Sequence, residues 1–177
     1  MTPFSKTESG AIVAGFSAVE ADIIGDLAAQ IAGMLVDLAG FRDVDPLFDS
    51  VGIGGSSTLD DDPAIARLLP DAYGGDLEAS RDFRRLTERG LARRKVTNAG
   101  VVIATLERGA GEVQLDEQEA QAWLRTLADI RLTIAARLGI EADGDEGATD
   151  GDSAAALHDL YDWLAFVTES LLDALES

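Results

Sequence analysis

Cysteine is absent from this 177-residue chain. That absence excludes disulfides, thiolate zinc sites, iron-sulfur clusters, a cysteine nucleophile and any thiol-based response to oxidation. Histidine occurs once, as His158, and has no second imidazole with which to build a histidine metal cluster. Basic residues are scarce: 14 lysines and arginines face 33 acids, for a formal net charge of -19. A field of that sign repels DNA, RNA and anionic lipid, so direct DNA binding is disfavoured. Long apolar runs are missing too, since none approaches the roughly 18 residues that a membrane-spanning helix needs. The opening MTPFSKTESG has no basic region leading into an apolar stretch, and the expected location is the cytoplasm. Apolar residues still make up 46% of the chain, enough for one buried core, and the expected organisation is one domain over residues 1–177.

Two short apolar segments, Pro3 to Lys6 and Ala11 to Phe16, flank Thr7 to Gly10 and read as a β-hairpin. Ser17 with Glu20 forms a capping box. After it Val19, Ile23, Leu27, Ile31, Leu35 and Leu38 recur at helical steps up to Gly40. Periodicity then lapses from Phe41 to Asp62, a loop that includes VGIGGSST. Asp62 before Pro63 starts a short helix that ends before Pro70. A further helix spans Asp76 to about Lys95, with Leu77, Phe83, Leu86 and Leu91 as its core contacts; VVIATL (101–106) suits a strand or a continued helix, the helix being preferred.

Glu112 to Leu115 reads as a strand that joins the hairpin in a three-stranded sheet. Asp116 and Glu119 form a second capping pair, and Trp123, Leu127, Ile130, Ile134 and Leu138 form a stripe that stops at Gly139. Residues 139–152 hold six acids and no base, and read as a mobile linker. The final helix carries Leu157, Leu160, Leu164, Val167, Leu171 and Leu175 inward, with Tyr161, Trp163 and Phe166 widening that face. The expected fold is therefore α+β and predominantly helical, with about five helices and a small antiparallel sheet made from the hairpin and one later strand.

Most chemical motifs fail on spacing. Gly52, Gly54 and Gly55 lack the lysine of a phosphate loop and the preceding strand of a dinucleotide fingerprint. Asp143, Asp145 and Glu146 resemble calcium ligands, but the glycine comes one position early and no acid closes the loop. With so many carboxylates, chance alone produces pairs, and none is singled out as a general acid and base. His158 beside Asp159 has no serine or carboxylate motif to make it a base. The reading is a non-enzymatic protein with no catalytic residue, cofactor or metal.

One segment departs from the acidic background. Residues 81–95, RDFRRLTERGLARRK, hold seven of the fourteen bases and two acids, which gives +5 there and -24 over the rest. Arg81, Arg85, Arg89 and Arg93 are four apart and form one cationic ridge on a helix, with Arg84, Arg94 and Lys95 to one side. The simpler reading is internal pairing with carboxylates; the functional one is a surface for an acidic protein partner or a phosphate. A homodimer is also left open.

Three blocks then carry a family resemblance: LPDAYGGDLEASRDFRRLT (69–87), AWLRTLADIRLTIAARLGI (122–140) and LYDWLAFVTESL (160–171). In this order they resemble an actinobacterial domain-of-unknown-function family, that of the AosR-type oxidative-stress transcriptional regulators. Its block L-N-D-L-R-L appears here as Leu127 to Leu132, with Ala128 in place of the asparagine. The resemblance implies a regulator acting by protein contact, with transcription machinery as a partner, from genes often found near that of the protease adaptor ClpS. A proteolysis-linked adaptor is the runner-up, and a small carboxylate-dependent hydrolase is the third reading. The motif residues Pro70, Asp71, Tyr73, Asp129, Arg131, Tyr161 and Trp163 carry structural expectations. Asp71 and Tyr73 are to anchor the Pro70 turn, with the Tyr73 ring on the last two helices. Asp129 is to pair with an arginine of the 81–95 segment, leaving Arg131 to solvent.

Overall fold

The computed structural model describes residues 1–39, 62–69, 79–109, 111–142 and 144–177, with 79–86 described by their backbone alone. Its described elements run β1 (Thr2–Lys6), β2 (Ile12–Gly15), α1 (Ala18–Ala39), α2 (Pro63–Leu68), α3 (Ala79–Gly109), β3 (Glu112–Leu115), α4 (Glu117–Leu138) and α5 (Asp152–Glu176). This is the expected α+β class: five helices among the described residues, with the hairpin and the later strand forming one antiparallel sheet in the order β1-β2-β3. Ile12 pairs with Leu115 and Ala14 with Val113. All four are buried, because alternation along each strand sends them to one face.

Local chemistry accounts for the helix boundaries. At α1 the Ser17 amide donates to Glu20 Oε2 (2.8 Å) while the Glu20 amide donates back to Ser17 Oγ (3.3 Å). The other oxygen of Glu20 receives the Met1 amino group at 2.9 Å. Held mainly by the Ser17 amide, the Glu20 carboxyl lies below its ordinary pKa. Asp116 and Glu119 repeat the capping box at α4. That helix ends at Gly139, whose φ of 73° suits a residue without a Cβ. At α2, Asp62 Oδ1 accepts from the Ala64 amide (2.9 Å), and the missing proline amide at the first turn costs nothing.

Three expectations shift. The segment expected as a helix to about Lys95 plus a separate 101–106 piece is one helix, α3, running through Gly90 and Gly100. Each of those glycines costs roughly 1 kcal/mol against alanine. Ala92, Ala99, Val102 and Leu106 offset that cost by sharing one buried face. Leu91 is only half-buried, and Leu77, Phe83 and Leu86 lie outside the described side chains.

On α1 the buried residues are Ile24, Ala28, Ile31, Leu35 and Ala39, whereas Val19 is 67% exposed and Ile23 reaches the surface as well. The inward face is turned because α1 lies along α3, and alanines on both helices allow close approach. Phe166 does not widen the core face of α5 but is 48% exposed. Its helical position opposes Leu164, Val167 and Leu171, which are buried.

Three aromatic rings join sheet to helices. Phe4 meets Phe16 and Trp123 edge-on at 5.9 and 5.6 Å, and Phe16 stacks on Trp123 at 5.8 Å. Each outer strand also gives a backbone group to a side chain. The Phe4 amide of β1 donates to Ser170 Oγ of α5 (3.4 Å), and the Gln114 carbonyl of β3 accepts from Arg108 (2.8 Å). The 139–152 connection has no helix or strand among its described residues up to α5. Asp145 accepts from the Glu141 and Gly147 amides, which lowers its pKa, and the Ala148 amide donates to Leu138 O (2.7 Å).

Candidate functional site

The cationic ridge lies on α3, the 31-residue helix. Arg81 and Arg85 fall where only the backbone is described. Arg89 and Arg93 have exposed side chains. Arg93 is nonetheless engaged, since its Nε donates to the Ala39 carbonyl at the end of α1 (2.6 Å), a group that a helix terminus leaves unpaired. Arg89 also has an interaction within the chain. Pro70, Asp71 and Tyr73 lie outside the described residues.

The other motif residues lie on two sides of α4: Asp129 faces α3, and Arg131, about 200° around the helix, faces α5. Asp129 is buried, and its carboxylate accepts from Lys95 Nζ, itself largely buried. The partner thus comes from the expected segment but is its lysine rather than an arginine. Lys95 stands two residues beyond Arg93, about 200° around the helix, on the side of Ala92 and Ala99. Burial pushes the Asp129 carboxyl above its ordinary pKa, against the pull of Lys95.

Arg131 is not left to solvent. It is half-buried, with its guanidinium 4.5 Å from the centre of the Tyr161 ring on α5, a cation–π arrangement. Its Nε is buried without a hydrogen-bond partner. Trp163 is half-buried against the core, and His158 contacts the Ala148 carbonyl through Nε2 (3.1 Å).

Two ties were not anticipated. Arg137 Nη2 reaches Asp62 Oδ2 at 2.8 Å, and Arg67 donates to Ile140 O, so α2 is fastened to the end of α4. Both join residues far apart in sequence, for which helical spacing gives no signal. The Asp62 carboxyl, held chiefly by the Ala64 amide, lies below its ordinary pKa. The exposure of Phe166 was missed, although a signal for it stands in the sequence: Asp159, Asp162, Glu169 and Asp173 surround it at helical spacing.

A cleft beside the hairpin is lined by Ser9, Arg108, Gln114, Asp116 and Glu119. Glu117 lines it as well, while Arg108 is engaged with Glu119 (3.0 Å) and Asp116 with the Glu119 amide (2.8 Å). The Glu119 carboxylate raises the Arg108 pKa. Among the described residues no group of three or more acids or histidines could hold a metal ion, and no helix is long and apolar enough to cross a membrane.

A family model described as a domain of unknown function, DUF2017, matches residues 1–175. The chain belongs to the DUF2017 family. Within reach of this DUF2017 chain is a protein of Mycobacterium tuberculosis (strain ATCC 25618 / H37Rv) named oxidative stress regulator AosR. It is 29% identical over 167 residues, which covers 86% of this chain and 77% of the relative. A protein of the same name from Mycobacterium bovis (strain ATCC BAA-935 / AF2122/97) shows the same values. A third relative, from Mycobacterium leprae (strain TN), is 28% identical over 170 residues, covering 88% of this chain and 78% of its own length. No solved structure matches the chain.

Proposed function

We propose that this DUF2017 protein is a non-enzymatic regulator of the response to oxidative stress that works by contact with another protein, with transcription machinery as the partner class. The observation that carries the reading is the name of the mycobacterial relatives, similar over most of both chains. Charge supports protein contact over nucleic acid, because a net charge of -19 opposes approach to a polyanion. The sensing step does not involve a thiol in this chain, which contains no cysteine.

The test is a deletion strain challenged with peroxide and complemented with the intact chain, with transcripts as the readout. Restored induction of a defined transcript set supports the reading. A profile unchanged by deletion and by complementation overturns it.

A further inference from the structure

The outward face of α5 combines two properties that a solvated helix surface rarely joins. Phe166 and Leu172 are 48% and 43% exposed. With Glu169 they follow one another at three-residue steps across that face. Asp159, Asp162, Glu169, Asp173 and Glu176, all exposed, surround them. Among the described residues no basic side chain forms an ion pair with any of these five carboxylates, although Glu20, Asp62, Glu119 and Asp129 each have a cationic partner. No lysine or arginine follows Arg137 in the sequence, while eleven acids do.

We infer that this face of α5 is the docking surface for a lysine- and arginine-rich amphipathic segment of another protein, an inference that rests on the protein-contact reading above. Cationic side chains of such a segment match Asp162, Glu169 and Asp173, and its apolar side chains cover Phe166 and Leu172. An arginine also suits the Phe166 ring, whose face attracts a cation. The occupant is another protein rather than a second copy of this chain. Of the described bases near the end of the 81–95 segment, two of three are engaged internally, Lys95 with Asp129 and Arg93 with the Ala39 carbonyl, which leaves Arg94, too little charge to match five carboxylates. Two chains that each carry -19 also repel. Apolar exposure within the acidic field distinguishes the face from plain solvating charge, because like charges alone would not bring hydrophobic side chains to the surface.

The experiment titrates the full chain with a synthetic Lys/Leu amphipathic peptide of about 18 residues, five helical turns, and with a scrambled peptide of identical composition. Amide shifts are followed residue by residue. We expect the amphipathic peptide alone to bind with a defined affinity, and its shifts to centre on residues 159–176. The Asp162→Lys, Glu169→Lys, Asp173→Lys triple variant should weaken binding about tenfold or more, and Phe166→Ser about fivefold, with unchanged circular dichroism. Equal affinity for the scrambled peptide, shifts centred on the Val19 and Ile23 side of α1, or native affinity in the Phe166→Ser variant would overturn the proposal. If the peptide maps elsewhere while the deletion strain still shows the transcript effect, the face is wrong and the regulatory reading stands. If the peptide binds α5 while transcripts do not respond, the face stands and the reading falls.

Discussion

Beyond the exposed Arg108–Glu119 pair, helices α3 and α4 are joined by buried polar bonds at two levels among the described residues, and the two are built differently. Near the sheet, Trp123 Nε1 donates to Thr105 Oγ1 at 2.8 Å, and that hydroxyl donates onward to Val102 O. Farther along, Lys95 meets Asp129. The first level is neutral and closed: each group has its partner, and the Trp123 ring also packs on Phe4 and Phe16. The second buries charge. Neutral partners cost little to desolvate; a buried ion pair recovers its desolvation only with good geometry. The neutral level therefore carries little desolvation cost, while the charged level carries much more of it.

Trp123→Ala should have the largest effect, about 4 kcal/mol of stability by denaturant titration, because it empties the aromatic centre and strands Thr105. Asp129→Ala should cost about 3 kcal/mol, the low end for a broken buried pair, since Lys95 keeps some exposure. Adding Lys95→Met to Asp129→Leu should recover most of that loss; no recovery would mean that the second level contributes net attraction. Thr105→Val, which leaves the indole N–H unpaired, should cost about 1–2 kcal/mol. Tyr161→Leu should cost roughly 0.5–1 kcal/mol through the lost ring face beneath Arg131.

Stability against pH sharpens the same contrast. Because burial raises the pKa of Asp129, the folded chain holds that proton more firmly than the unfolded one. Its linkage therefore favours the fold below the ordinary carboxylate range, and the benefit is lost as pH rises through the raised value. Glu20 and Asp62 act oppositely: their lowered values give stability that is present above the ordinary range and lost as pH falls. Asp129→Asn should remove only the first component, and an unchanged difference between pH 4 and pH 6, in about equal salt, would contradict the assignment.

Much of this was legible in the sequence. Both capping boxes, the three strands and the Trp123 stripe follow from short-range patterns, which is why each of them appears in the structure. The face of α1 was less legible because alanine carries little hydrophobic signal: Ala28 and Ala39 are buried while the larger Val19 and Ile23 are not. Helical continuity across Gly90 and Gly100 depends on packing against α1, which no local propensity records. At the candidate site, four-residue spacing located the arginine ridge but drew attention away from Lys95, which points to the other side of the same helix. Phe166 was drawn inward by its apolar character, although the acids at helical spacing around it mark the outward position that the structure shows.

The sheet edges carry a further consequence. A short sheet ends in unpaired strand backbones, and such edges template the addition of further chains, the first step toward fibrils. Here Ser170 takes an amide of β1, and Arg108, itself paired with Glu119, takes a carbonyl of β3. Both ends of the ladder are thus partly occupied by side chains of the same molecule. Loss of Arg108 would alter global stability little, yet it would open an edge to intermolecular pairing, so its effect belongs to shelf life at high concentration rather than to melting temperature.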